Sequence, residues 1–254
     1  MVRGNRLQLN LMHLTITNKS EFVSEFLSPL SKINDSCILK ITKDRIFSLL
    51  SATDNTVVVY GKHDTDWEYE DIPLNVPDLM RLIRILQCIE DDVIELGIES
   101  NHLKYSSKDI RFKYHLLDTG ILSLPPISVE KIKELKFNTG FSATYNSFVN
   151  LIKGSAFAIN LNKVYFFTKD GCVHCELTDK QSHNVDSMSL KVCDTYTGDD
   201  IKDPLPVGFE TLRTVIGNRC DGISVKINTE LNVMSFQINN NNTQMTYIVS
   251  GLVK

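Results

Sequence analysis

Apolar residues along this 254-residue chain alternate at two spacings, every second position and every third or fourth, and the two spacings follow one another in the same order twice. Residues 5–17 alternate polar and apolar, which predicts a strand. From Asn18 to Ile33 the apolar set Phe22, Val23, Phe26, Leu27, Leu30 and Ile33 recurs at helical spacing, with Ser20 as the expected N-cap. Pro29 lacks an N–H and its ring crowds the preceding turn, so a kink or an early end is expected there. Short strands are predicted over 37–41, 46–51 and 56–61, separated by Lys43-Asp44 and Asp54-Asn55 turns, and over 67–74. A helix over 76–89 puts Leu79, Leu82, Ile83, Leu86 and Ile89 on one stripe and Arg81, Arg84 and Gln87 on another. Strands over 93–99, 102–106 and 110–117 close the first half.

The stretch Asp118 to Ser128 breaks every period, and its Pro125-Pro126 pair predicts an extended, solvated linker. Beyond it the order returns: a strand over 137–142, a helix over 144–155 built on Tyr145, Phe148, Val149 and Ile152, and strands over 164–168 and 172–177. Lys169-Asp170-Gly171 joins those two strands as a tight hairpin, since Asp-Gly supplies the positive φ angles such a turn needs. A strand near 187–193, a helix over 207–217 and strands over 223–228, 231–238 and 244–250 complete the chain, with Asn239 to Asn242 as a polar hairpin turn. The repeat is visible in the residues themselves. Pro73 to Leu96 aligns with Pro204 to Val225, and a two-residue gap places Arg84 on Arg213, Leu86 on Val215 and Ile94 on Ile223. The reading is α+β, mostly antiparallel, with an N-terminal domain over 1–118, a linker over 119–136 and a C-terminal domain over 137–254.

Composition narrows the function. Hydrophobic content of 42% and charged content of 23% are those of an ordinary globular protein, and no apolar run approaches the roughly 20 residues a membrane span requires. The N-terminus has no continuous apolar stretch of the signal-peptide kind. Six cysteines scattered over predicted strands and helices point to free thiols in a reducing, intracellular compartment. The formal charge of −4 argues against a surface coated in nucleic acid, so the placement of the positive charges matters. Arg81, Arg84 and Arg213 recur on equivalent helices, and Lys32 and Lys153 come from the other two. A few such contacts give weak, sequence-independent attraction to phosphate.

Chemistry is scarce. Cys172-Val-His-Cys175, with His183 and Cys193 downstream, is the best metal candidate, but in a strand Cys172 and His174 face one way and Cys175 the other, so four ligands cannot converge locally. Asp91-Asp92 and Asp199-Asp200 fall at turns, where solvated acids are the rule. No phosphate-binding Gly-Lys loop, nucleophile elbow, dinucleotide fingerprint, zinc finger or RNA-recognition signature is present. The reading is a protein without catalysis, cofactor or metal.

The segment Ile85-Leu-Gln-Cys-Ile-Glu-Asp-Asp-Val-Ile-Glu-Leu96, the linker after Tyr114-His-Leu-Leu-Asp118 and the C-terminal Tyr247-Ile-Val-Ser-Gly-Leu-Val-Lys254 resemble the DNA sliding clamps of the proliferating cell nuclear antigen and tailed-phage type. The order of elements is similar over nearly the whole chain. The resemblance implies the clamp fold: two duplicated domains, each with two helices on an antiparallel sheet, closing head to tail into a six-domain homotrimeric ring. Such a ring encircles duplex DNA, tethers a DNA polymerase and is placed on DNA by a clamp loader. Carried over by position, the DNA-facing residues are Lys32, Arg81, Arg84, Lys153, Arg213 and Arg219, while Glu21 and Glu25 weaken the first helix's attraction for DNA. The expected subunit seam joins Arg111, Lys113 and His115 on one edge strand to Cys172, His174 and Glu176 on another. The expected client-peptide pocket is Val57, Leu122, Leu124, Ile127, Ile248 and Gly251.

Competing readings are a monomeric or heterotrimeric clamp-like accessory factor, an α+β enzyme acting on a small or nucleotide substrate, and an interaction protein unconnected with DNA. A convergent polar pocket with a shifted pKa would favour the enzyme. The asparagine-, isoleucine- and lysine-rich composition is compatible with a viral or phage source.

Overall fold

The structure, a computed structural model, describes residues 12–99, 101–154, 156, 161–182, 184–217, 220 and 222–252. β1 (Met12–Ile16) runs into a continuous helical stretch made of α1 (Lys19–Glu21), a π-helical segment (Phe22–Leu27) and α2 (Ser28–Ser31). β2 (Cys37–Thr42), β3 (Arg45–Ser51), β4 (Val57–Asp64) and β5 (Ile72–Val76) precede α3 (Leu79–Gln87), which is followed by β6 (Ile94–Glu99), β7 (His102–Ser106) and β8 (Arg111–His115). A linker helix, α4 (Val129–Glu134), leads to β9 (Thr139–Ala143), α5 (Tyr145–Gly154), β10 (Lys163–Lys169), β11 (Cys172–Leu177), β12 (Met188–Cys193) and the short β13 (Thr197–Gly198). β14 (Leu205–Gly208), α6 (Phe209–Ile216), β15 (Ile223–Asn228), β16 (Val233–Asn240) and β17 (Thr243–Ser250) end the chain.

The second half repeats the first. β9 to β12 stand where β1 to β4 stand, β14 takes the place of β5, α6 that of α3, and β15 to β17 those of β6 to β8. The sheets obey the same correspondence: β1-β6-β7-β8 against β9-β15-β16-β17, and β5-β2-β3-β4 against β14-β10-β11-β12. Every pairing is antiparallel. One pairing crosses between the halves: β17 runs beside β4 from Thr243↔His63 to Val249↔Val57, fusing two of these units into a nine-stranded sheet. Alternation does the rest. Inward Val57, Val59 and His63 on β4 join Met245, Tyr247 and Val249 on β17 in the core, and Val58, Tyr60 and Lys62 face the other side.

Several elements depart from the sequence expectations for physical reasons. The N-cap of the first helix is Asn18, whose Oδ1 accepts from Glu21 N at 2.8 Å; Ser20 lies inside the helix. Pro29 does not end the helix, which continues to Ser31; the wide π turn before it, with Ser28 N–H bonded back to Val23 O, leaves room for the proline ring. Residues 67–71 form no strand, because Trp67 is buried as a loop anchor, bonded through Nε1 to Glu70 O at 2.9 Å and in tilted contact with the Tyr69 ring. The linker is not extended throughout. Ser128 caps α4, and Ile132, on its underside, packs against Val58 and Ile248 on the outer face of the nine-stranded sheet. The Asp170-Gly171 turn has the expected positive φ angles, 52° and 76°. The part of the first predicted strand before Met12 lies outside the described residues.

Candidate nucleic-acid interface and strand edges

Four of the five helical segments, all but α4, pack in two pairs, one in each half. The first packs on α3, on β4 and on the second half's β17, and α5 packs on α6. Across the midline, a groove of about 1050 Å³ separates the first helical segment from α5, with the Asn239–Asn241 turn in its lining. The Lys32 ammonium reaches the C-terminal end of α6: a Cβ built on Gly217 would lie 3.1 Å from Lys32 Nζ and 3.0 Å from Arg213 O. There it faces the negative end of a helix dipole, and burial lowers its pKa. Lys32 thus lies where the first half meets the end of α6.

Arg81 and Arg84 stand on the exposed side of α3, and their guanidinium groups have no ion-pair partner among the described residues. Asp78 fixes the helix start by accepting from Arg81 N at 2.8 Å. Arg213 is exposed in the last turn of α6 and pairs with Glu210 at 2.9 Å. Lys153 is exposed in the last turn of α5, and Arg219 lies outside the described residues. Arg81, Arg84, Lys153 and Arg213 thus stand exposed on α3, α5 and α6.

Glu21 and Glu25 do not form the free acidic face expected of them. Glu21 is buried and accepts from Asn242 N at 2.8 Å and from Asn242 Nδ2 at 3.1 Å. Glu25 accepts from Asn240 Nδ2. Both carboxylates hold the β16–β17 turn of the second half, a role that sequence spacing across more than 200 residues does not reveal. Lys19 is buried as well, its ammonium bonded to Ile89 O.

Two strand edges correspond by the internal repeat to the joined pair β17 and β4, and both are open among the described residues. β8 pairs with β7 alone among the described residues, with Arg111, Lys113 and His115 exposed along it. The second edge is β12, which corrects the expectation for Cys172, His174 and Glu176: their strand, β11, is paired on both sides, with β10 and with β12. The chain returns after residues 178–187 and lays β12 on the side of β11 expected to be free. Ser189 sits beside Glu176 and Lys191 beside His174 in that register. Cys175 is buried, and burial pushes its thiol up to about 12; His174 stacks on Phe167. Among the described residues no cluster of three or more metal-ligating side chains exists. His183 lies outside them. The paired acids serve turns: Asp92 Oδ1 accepts from Ser20 N at 2.7 Å, which lowers its pKa, and Asp199 O accepts from Thr139 Oγ1 at 2.6 Å.

A second groove, of about 390 Å³, runs beside the linker. Leu122, Leu124 and Pro126 form one wall, and Leu49, Ser51 and Asn55 are on the other. Leu124 is 75% exposed and Ile121 59%. Of the expected pocket residues, Leu122 and Leu124 line this groove. Ile127 and Ile248 belong to the cluster under α4, Val57 points into the core, and Gly251 is held by its N–H to Asn232 O at 2.6 Å.

An antiparallel duplicated α+β chain with two helices packed on sheet in each half has the DNA sliding-clamp fold. Solved structures with this architecture agree. The proliferating cell nuclear antigen (PCNA) of A. fulgidus, solved with the C-terminal region of FEN-1 bound, matches with a TM-score of 0.77 at 15% identity, covering 96% of this chain and 99% of that one. PCNA from Entamoeba histolytica matches with a TM-score of 0.76 at 11% identity over 96% of this chain and 99% of its own. The PCNA2–PCNA3 complex from Sulfolobus tokodaii matches with 0.71 at 12% identity over 94% and 99%. No protein-family model matches the sequence, and no curated protein matches it.

Proposed function

We propose that the chain is a DNA polymerase processivity clamp: a homotrimeric ring of six domains, two per chain (1–118 and 137–254), that encircles duplex DNA. The observation that carries this is the β17–β4 joint together with its two unjoined equivalents. One chain already closes one joint between its halves, and the open edges β8 and β12 are the same pair of strands in the other order. Pairing β8 of one copy with β12 of the next repeats that joint head to tail, a heterologous contact that closes when the rotation returns to its start. The helices carrying Arg81, Arg84, Lys153 and Arg213 then line the hole, where thin charge suits sliding better than gripping.

In this reading the protein does no chemistry of its own. It raises the effective concentration of a tethered polymerase at the primer end, with client peptides seated in the groove beside Leu122 and Leu124 and a clamp loader opening the ring. No helix among the described residues is long and apolar enough to cross a membrane, and the site of action is the intracellular place of DNA replication. Native mass and primer extension test the proposal together. A mass about three times 28.8 kDa and longer products from a partner polymerase support it. A concentration-independent monomer points to the accessory-factor reading, and unchanged product length overturns the polymerase tether.

A further inference from the structure

One strand of the second half has no counterpart in the first. β13 lies between β12 and β14 and pairs with the outer edge of β9, at Thr197↔Gly140 and Gly198↔Thr139. Side chains close that edge further: Thr197 Oγ1 donates to Gly140 O at 3.2 Å, and Cys193 Sγ to Ser142 O at 2.9 Å. By the repeat β9 corresponds to β1 and the Ala143↔Ile223 pair to Ile16↔Ile94, so Gly140 and Ser142 stand where His13 and Thr15 stand. Among the described residues β1 pairs with β6 and with no other strand.

Residues 65–71 follow β4 as β13 follows β12, but they are held elsewhere. Thr65 N donates to Asp44 O at 3.1 Å and Trp67 N to Lys43 O at 3.0 Å, which ties this loop to the β2–β3 turn. Its one hydrogen bond to β1 among the described residues runs from Thr65 Oγ1 to Thr15 O, at 3.3 Å. Alternate residues of an antiparallel strand point their N–H and C=O to the same side, so the His13 main chain faces that edge too, with no partner there among the described residues. Between edge and loop lies a groove of about 600 Å³. Unpaired main-chain groups on such an edge are a template for another strand.

The groove also selects the charge of what pairs there. Asp44, Asp64, Asp66 and Glu68 line it, and no lysine or arginine does. Arg45 pairs with Asp44, and Arg45 and Lys62 act on Asp64 from outside the groove. His13 is engaged by Glu95, while Asp66 and Glu68 have no ion pair among the described residues. These carboxylates do not converge on one point: no group of three or more metal-ligating side chains forms among the described residues. Cations spaced along an extended chain suit them better than a single ion. Tyr69, 41% exposed, adds a ring face on which one such cation can rest.

We infer that the β1 edge pairs with an extended basic segment of a partner protein, its main chain bonded at His13 and Thr15 and its lysine or arginine side chains toward Asp66, Glu68 and Tyr69. The inference does not depend on ring closure, which uses β8 and β12. Nucleic acid is repelled by the same carboxylates.

The test is fluorescence anisotropy with a labelled Lys-Thr-Lys-Val-Lys-Thr-Lys peptide at low salt on the intact protein, together with amide hydrogen exchange. Exchange at the His13 and Thr15 amides is expected to slow severalfold on binding. Asp66→Asn/Glu68→Gln is expected to bind the peptide roughly fivefold more weakly than the parent. The charge-matched control Asp203→Asn/Glu230→Gln, altering exposed acids outside the groove, is expected to bind like the parent. A peptide of the same sequence N-methylated at its four central residues keeps the charge and loses the pairing, so it should bind far more weakly. Equal binding of the methylated peptide, equal loss in both acid variants, or unchanged exchange at His13 and Thr15 overturns the inference. Amides already protected in the dilute protein would mean that the chain fills its own edge, and protection that grows with protein concentration would mean a second copy; either result also overturns it.

Discussion

Glu21 accepts two hydrogen bonds from Asn242 and one, at 3.3 Å, from Asn18 Nδ2, so one carboxylate joins a helix start in the first half to a turn in the second. Hydrogen bonds to a charged group contribute about 1.5–3 kcal/mol each way of counting, and Glu21→Ala is expected to lower unfolding stability by about that much. Glu21→Gln keeps one acceptor oxygen and is expected to lose less, with urea midpoints as the measurement. Beside this lock, His63 is buried against Phe22 and Phe26, with Nδ1 2.8 Å from Thr243 Oγ1. Burial holds its pKa below the ordinary 6.5, although Glu21 and Asp64 pull the other way. A histidine held neutral in the fold takes its proton first in the unfolded chain. Its contribution is therefore complete above about pH 6.5 and is lost as the pH falls toward the folded-state value. Urea midpoints measured from about pH 7.5 down to about pH 5.5 should fall less steeply for His63→Asn than for the parent. None of this was legible from spacing, since Glu21 and Glu25 look like any solvated helix face. Asp170-Gly171 was legible, because the φ requirement belongs to the residues themselves.

At the scale of elements, the sequence carries what is local and loses what is relational. The α3 stripe of Leu79, Leu82, Ile83 and Leu86 with its Asp78 cap is written in consecutive residues, and the helix forms as that stripe demands. Strand order is different. Both 172–177 and 188–193 read as strands, but which is the edge depends on where the chain returns after the 178–187 loop, and β12 takes the place expected of β11. Open edges make the proposed seam testable. Arg111 and Lys113 are exposed on β8, so Arg111→Glu/Lys113→Glu should shift the association equilibrium toward monomer by roughly tenfold while leaving the monomer's unfolding midpoint unchanged. Sedimentation across a concentration series reads the first and circular dichroism the second. α4 was lost for another reason: prolines at 125 and 126 mark a break, and six residues are too few to announce a helix without the sheet beneath. Ile132 is 7% exposed, and Ile132→Ala removes the contact that holds α4 to Val58 and Ile248. Backbone hydrogen exchange over 129–134 should rise sharply, with little change elsewhere, because the satellite cluster lies outside the main core.

For the whole molecule, if it is the clamp proposed above, the decisive quantity is what holds it on DNA. The helices offer Arg81, Arg84, Lys153 and Arg213, with the last shared with Glu210, and the chain as a whole is net negative. Contacts this sparse are screened over about 10 Å at 0.1 M salt, so on their own they release DNA readily. A closed ring is held by topology, which salt does not screen. Protein loaded on a nicked circular plasmid should therefore remain bound through gel filtration at high salt, and cutting the plasmid once should let it slide off the ends. Arg81→Glu/Arg84→Glu should shorten residence on linear DNA several-fold and leave retention on circles nearly unchanged, provided loading is complete. Equal loss from circles and linear molecules would mean that surface contacts, and not closure, keep the protein in place. The Arg111→Glu/Lys113→Glu variant separates the causes further: it leaves those helices intact and opens the β8 seam, so retention on circles should fall while weak binding to linear DNA persists.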